Sequence, residues 1–358
     1  MTPRFGPTVA SVLDGTILDG SAAVCIPDAT RPLDPGPALQ ALRPHIRGEM
    51  RVVVGLGLHR RLHRQERARI AQWKPLEHDP DHTVATRTVD GVPGGVFRPV
   101  AQMDRAIGVG VVELHQYAGV SGGHKAVSVG CGSRATIAAL HHRDRVTASG
   151  VRVGAVARNP FRAVVDALGE AAGCTHALVW IPACGAWGFG EPRALIAAAA
   201  QRLSPWFPVP RLYDTVQLDV PDSKASSLYQ ASRAATYLAL SPAPPIAPGA
   251  TIRLHARLPE GLGSESGFCA AMAAHTPPWS ALLSGPPPTG AGAQRAVMIA
   301  LLASRYRLEI WGCKDPSALR AVGIPASSAA PPTGAEILHV PAPFTTLPQL
   351  AATETMER

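Results

Sequence analysis

The 358-residue sequence predicts an α/β protein made of two α/β domains with a ligand cleft between them, the first domain Rossmann-like. Three observations carry that expectation. Apolar runs bounded by turn residues alternate with segments of helical periodicity, the pattern of strands joined by helices. The chain is longer than one hydrophobic core usually serves. A Pro-rich interruption, Ser204-Pro205-Trp206-Phe207-Pro208-Val209-Pro210, then breaks the rhythm and reads as a link between residues 1–205 and 206–358.

In order, Ala22 to Pro27 reads as a strand ending at Asp28, and Val52 to Leu58 as a second strand followed by a polar helix. Ala106 to Leu114 is a third, running straight into a glycine turn, and Ser133 to His142 reads as helical. His176 to Pro182 is another buried strand, with a helix from Pro192 to Leu203. Beyond the link come strand-like Thr215 to Val220, helical Ser226 to Leu240 and strand-like Thr251 to Leu258. Helical Gln294 to Ser304 and strand-like Arg307 to Gly312 follow. A last helix or tail is expected to pack back on the first domain.

Composition excludes several classes. No apolar run approaches the roughly 20 residues needed to cross a bilayer, and the N-terminus lacks a signal-peptide core, so a cytoplasmic protein with no membrane association is expected. The six cysteines are scattered without a CxxC pair, which argues against a disulfide frame or zinc knuckle. The formal charge of +8 is dispersed over arginines, without interleaved aromatics to stack bases. That favours small anions over nucleic acid as partners.

Three segments at strand ends carry chemistry. Asp28-Ala29-Thr30-Arg31-Pro32 offers a guanidinium fork for a carboxylate or phosphate, or else a helix cap with a solvated arginine. His59 ends an apolar run, where a neutral imidazole can take and return a proton. His115 precedes the turn Ser121-Gly122-Gly123, and Lys125 closes it. The turn does not match GxxxxGK[ST], but its backbone N–H groups can cradle a phosphate. Its lysine can contact that phosphate, serve as a covalent attachment point, or simply be solvated. The His59/His63 and His78/His82 pairs have metal-ligand spacing, but no HExxH pattern accompanies them. Polar groups gathered at the carboxyl ends of strands lie where open α/β sheets bind ligands.

The run His115-Gln116-Tyr117-Ala118-Gly119-Val120-Ser121-Gly122-Gly123-His124-Lys125, with His141 sixteen residues later, resembles the signature of the nickel-pincer lactate racemases. Asp28-x-Thr30-Arg31-Pro32, Gly57-Leu58-His59-Arg60 and Leu228-Tyr229-Gln230 match further motifs of that family in its order, so the resemblance spans most of residues 22–240. It implies a nickel-pincer nucleotide, pyridinium-3,5-bisthiocarboxylic acid mononucleotide, linked covalently to Lys125. Ser121, Gly122, Gly123, Asp28 and Thr30 would cradle it, and His141 would bind its nickel, with His142 an adjacent rival. Catalytic acid and base would be His59 and His115. Substrate contacts would come from Arg31, Tyr229, Gln230 and Arg233. The implied function is racemisation or epimerisation of a small 2-hydroxy acid, with cofactor-biosynthesis enzymes as partners.

That chemistry explains the equipment. The α-proton beside a carboxylate is very weakly acidic, so direct abstraction faces a high barrier. Removing the hydrogen as hydride while a base takes the hydroxyl proton gives a planar keto acid, and return to the other face inverts the centre. Departures fall mainly on the substrate half: Arg233 stands where the family usually has Lys, and Asp222 to Leu228 lacks the acid and Asn that usually precede Leu-Tyr-Gln; in the cofactor half Leu140 replaces a common Asn and His124 stands where Arg or Gly is commoner. The substrate is therefore left as a 2-hydroxy acid rather than lactate specifically. The alternative is a non-catalytic relative that binds the cofactor or an anionic metabolite; a histidine-site metal hydrolase is the weakest reading.

Overall fold

A computed structural model describes residues 2–203 and 205–351. They divide into two compact units, Met1–Leu203 and Ser204–Arg358. The first contains strands β1 (Arg4–Gly6), β2 (Ala22–Pro27), β3 (Met50–Gly55), β4 (Leu76–Glu77), β5 (Thr83–Val89), β6 (Val92–Phe97), β7 (Arg105–Val111), β8 (Leu114–His115), β9 (Gly119–Val120), β10 (Cys174–Ile181) and β11 (Ala186–Gly190). Seven form one sheet in the order β1-β11-β10-β7-β2-β3-β4. Pairing is parallel from β10 to β4, and antiparallel only where β11 and β1 close one edge. Counting only the five parallel strands along the chain, their spatial order is 3-2-1-4-5, the Rossmann arrangement. The mixed α/β architecture with a mainly parallel sheet is as the sequence predicts.

A parallel strand must bury both faces, and β2 does so by alternation. Ala22, Val24 and Ile26 enter one core with Val9, Val12, Leu13, Leu39 and Leu42 of two helices, while Ala23 and Cys25 enter another with Val127 and Cys131. A third cluster packs Val179 and Ile181 of β10 against Leu195, Ile196 and Ala199. That helix, Pro192–Gln201, starts with Pro at its first position and a side-chain cap from Glu191.

The second unit holds β12 (Trp206–Val209), β13 (Tyr213–Asp219), β14 (Ile246–His255), β15 (Arg307–Trp311), β16 (Ala326–Ser327), β17 (Ile337–Val340) and β18 (Leu347–Leu350). Five form a parallel sheet in the order β16-β15-β14-β13-β17. Two expectations change here. The Pro-rich link is partly a strand, because β12 pairs in parallel with β18, Pro208 lying opposite Gln349. The last described element is likewise β18 rather than a helix, and it pairs inside the second unit; residues 352–358, where a packing tail was expected, lie outside the described residues.

In the first unit, β3 stops at Gly55 rather than Leu58, since Gly57 takes a left-handed φ of 58° and turns the chain. No helix among the described residues is long and apolar enough to cross a membrane. Leu178 of β10 is fully buried in the largest cluster. Leu178→Ala is expected to cost about 2–5 kcal/mol, read by chemical denaturation, because the surrounding strands cannot collapse into the void.

Candidate active site

The sheet order reverses between β2 and β7, the point where doubly wound folds open a crevice at the strand carboxyl ends. Asp28 follows β2, His59 follows β3, and Glu113 and His115 follow β7. Asp28 does not cap a helix. Its Oδ1 accepts the Thr30 N–H at 3.0 Å and the Thr30 hydroxyl at 2.6 Å, a local turn, and its Oδ2 accepts from His59 Nδ1 at 2.6 Å. Burial disfavours the Asp28 carboxylate, but the His59 imidazole, the Thr30 hydroxyl and the Arg31 charge outweigh it. The carboxyl is held well below its usual range.

Arg31 crosses the reversal point to Glu113, Nη1 to Oε2 at 3.5 Å, with both side chains largely buried. Glu113 is itself clamped by the glycine turn. Its N–H donates to Ser121 Oγ at 3.0 Å, its carbonyl accepts the Ser121 N–H at 2.9 Å, and the Ser121 hydroxyl donates to the Val111 carbonyl at 2.6 Å. Strands β8 and β9 pair within this span, His115 opposite Gly119. The hairpin thus carries His115 on one arm and leads into the lysine turn on the other.

The two expected acid/base histidines have opposite hydrogen-bond roles. His59 Nδ1 faces an ionised carboxylate, so it carries the proton and leaves Nε2 as a lone pair. His115 Nδ1 accepts the backbone N–H groups of Tyr117 at 3.3 Å and Ala118 at 3.1 Å, so its neutral ring carries the proton on Nε2. His141 ends the helix Arg134–Leu140, which Ser133 caps. Its Nδ1 donates to the Ile137 carbonyl at 2.8 Å, leaving Nε2 with a lone pair suited to a metal. The rival, His142, is exposed and lies 3.6 Å from Asp144.

Tyr117 is a residue that sequence reading missed. Its ring centroid lies 5.8 Å from both His115 and His141, and Phe161 packs on Tyr117 and His141 at 5.5 and 5.8 Å. Two aromatic rings therefore join the two imidazoles in one cluster. The only signal in the sequence is an aromatic two residues after His115.

Lys125 begins a short helix, Lys125–Ser128, laid over β7 and β2. Gly108 permits the approach, because a Cβ there would lie 2.8 Å from the Gly123 carbonyl oxygen. Gly122 and Gly123 both take positive φ, 89° and 65°. A glycine turn with two left-handed residues, a half-buried lysine and an imidazole oriented through Nδ1 by a backbone carbonyl fit the group that the sequence resemblance implies.

Tyr229, Gln230 and Arg233 lie in the second unit, on the helix Leu228–Ala239 capped by Ser227. Gln230 and Arg233 are buried, at 7% and 9% exposure, and the Gln230 carboxamide oxygen has no hydrogen-bond partner. The Arg295 guanidinium stands 6.0 Å from the Tyr229 ring. Burial raises the Tyr229 pKa, and the charges of Arg233 and Arg295 oppose it. The histidine pairs with metal spacing form no site: His78 Nε2 bonds the Gly132 carbonyl, and His78 and His82 both pack edge-on to Phe97.

Residues 18–153 match the lactate racemase N-terminal domain family. That stretch of the first unit is therefore similar to the N-terminal domain of lactate racemases. The structure is similar to the lactate racemase apoprotein from Thermoanaerobacterium thermosaccharolyticum, with a TM-score of 0.80, 17% identity, and 97% of this chain and 94% of that chain covered. A protein from Thermotoga maritima matches with a TM-score of 0.71, 14% identity and 96% of each chain covered. At these identities the likeness to solved structures establishes the fold. No curated protein matches the sequence.

Two outcomes follow from this geometry. A Cβ on Gly123 would meet Ile196 Cγ1 at 2.6 Å and Arg162 Nη2 at 2.9 Å at a left-handed φ, so Gly123→Ala is expected to cost about 1–3 kcal/mol in a thermal or denaturant melt. Asp28 has a depressed folded pKa, so its contribution is present above the unfolded carboxylate pKa and fades as pH falls through the folded one. The stability gap between wild type and Asp28→Asn should therefore be full near neutrality and shrink below about pH 4.

Proposed function

We propose that this protein is a racemase or epimerase of a small 2-hydroxy carboxylic acid, working with a nickel-pincer nucleotide held by Lys125 and His141. The observation that carries this reading is the pair of complementary imidazoles at the sheet's reversal point: His59 presents a lone pair at Nε2, and His115 presents a proton there. A racemase must remove the hydroxyl proton and return it, which His59 Nε2 can do, and must steady the oxygen meanwhile, which the His115 N–H can do.

Bound, the cofactor would supply a reversible hydride store. The chain's own residues do the rest. His59 Nε2 accepts the hydroxyl proton, and the Asp28 carboxylate both orients the ring and stabilises the resulting imidazolium. The His115 Nε2–H donates a hydrogen bond to the substrate oxygen and steadies the charge there, while the His59 imidazolium returns its proton to that oxygen once the carbonyl has turned. Arg31, tethered by Glu113, would hold the substrate carboxylate while the carbonyl turns. Tyr117 and Phe161 pack between His115 and His141 and give those two imidazoles an aromatic wall. Gln230, Arg233 and Tyr229 are the proposed further substrate contacts, and cofactor-biosynthesis enzymes the proposed partners.

Intact-mass measurement after co-expression with cofactor-making enzymes tests the tether. A covalent adduct is expected on the wild type and absent from Lys125→Ala. His59→Ala and His115→Ala should keep the adduct and lose turnover by about 100-fold or more, measured as enantiomer interconversion over a panel of 2-hydroxy acids. Active, metal-loaded protein with an unmodified Lys125 would refute the assignment.

A further inference from the structure

We infer that the first unit carries a divalent-cation site beside the lysine turn, formed by His124, Glu170 and Glu191. It uses none of the residues assigned above and stands independently of the proposed reaction.

His124 immediately precedes Lys125, yet its side chain turns onto the helix Pro160–Ala171. The residue is fully buried, and a Cβ on Gly169 would meet its Cβ, Cδ2 and Cγ at 2.5, 2.8 and 2.9 Å. Nδ1 lies 3.2 Å from Asp166 Oδ1, which Arg162 Nε also holds at 2.9 Å. The Asp166 carboxylate, held by Arg162, accepts from Nδ1. Nε2 is then a buried lone pair, and it has no hydrogen-bond partner. An unsatisfied buried acceptor of this kind is destabilising.

One donor atom from each of His124, Glu170 and Glu191 lies within 4.8 Å of the others. Small side-chain rotations bring such a set to the roughly 2.0–2.2 Å of zinc–nitrogen and zinc–oxygen bonds. The Asp166–His124 contact has the form that orients metal-binding imidazoles, a carboxylate on the opposite ring nitrogen. Glu191 is already fixed, its two oxygens accepting the N–H groups of Arg193 at 2.9 Å and Ala194 at 2.8 Å, each with a lone pair to spare.

The competitor is Arg193. Its Nε and Nη2 take Glu170 Oε1 at 3.1 and 2.6 Å. That side chain is half exposed, so solvent screens the pair and it can open. With Arg193 swung out, Arg162 and a divalent ion balance the three carboxylates Asp166, Glu170 and Glu191. One imidazole and two carboxylates form a borderline-to-hard donor set, suited to a zinc-like ion rather than a soft monovalent one.

The test uses the full chain made without cofactor-producing enzymes, stripped with EDTA and titrated with Zn2+ by calorimetry and thermal melts. A His339→Ala background removes the separate Asp219–His339 contact as a stray binder. One saturable, chelator-reversible equivalent that raises Tm is expected. His124→Asn keeps an N–H near Asp166 but deletes Nε2, and Glu170→Gln changes only an exposed ligand; each should weaken binding about tenfold or more. Arg193→Gln should tighten it, and His141→Ala should leave it unchanged. Zn2+ affinity that is indifferent to Glu170→Gln, or the lack of saturable binding to folded protein, overturns the assignment. Should His124→Asn fail to fold, the Glu170 and Arg193 variants decide.

Discussion

The site is organised around one buried carboxylate. Asp28 sits at the carboxyl end of the central strand, where burial alone would keep it protonated, and it stays ionised because His59, Thr30 and Arg31 surround it. Each partner is placed in return: His59 receives its tautomer, Thr30 its turn, and Arg31 a second charge beside it. Removing the negative charge would take away the partner that orients His59 and the acceptor of the Thr30 turn, while Arg31 would keep Glu113. The Rossmann order matters because it brings Arg31 and Glu113 to opposite sides of the reversal point, where no strand or helix fills the space between them.

Much of this was legible in the sequence, for physical reasons that can be named. β2 announced itself because a two-sided buried strand must be continuously apolar, and Ala22 to Ile26 is. The positions of Asp28, His59 and His115 followed from strand ends. Other features had no local signal. The hairpin of β5 and β6 is polar on one strand and Gly-rich on the other, and so lacks a clean period. β12 holds Pro208 and is flanked by Pro205 and Pro210, so it reads as a link; only its partner, more than a hundred residues away in β18, makes it a strand.

Partners of charged groups were hidden for the same reason. Glu113 looked like an ordinary strand terminus, and only the three-dimensional fold pairs it with Arg31. The hydrogen-bond roles of the imidazoles depend on carbonyl, amide and carboxylate positions that no spacing rule supplies. His124 illustrates the limit well: adjacent to Lys125 in sequence, it faces the helix beneath. Neighbours on a turn with left-handed glycines need not share a surface.

The ladder of contacts running from Val111 through Glu113 and Ser121 ties the arm bearing His115 to the turn bearing Lys125. Such a brace makes the His115 imidazole and the Lys125 turn a single mechanical piece rather than two independently adjustable groups. A substitution that strains one arm is then passed to the other, so the two cannot drift apart independently.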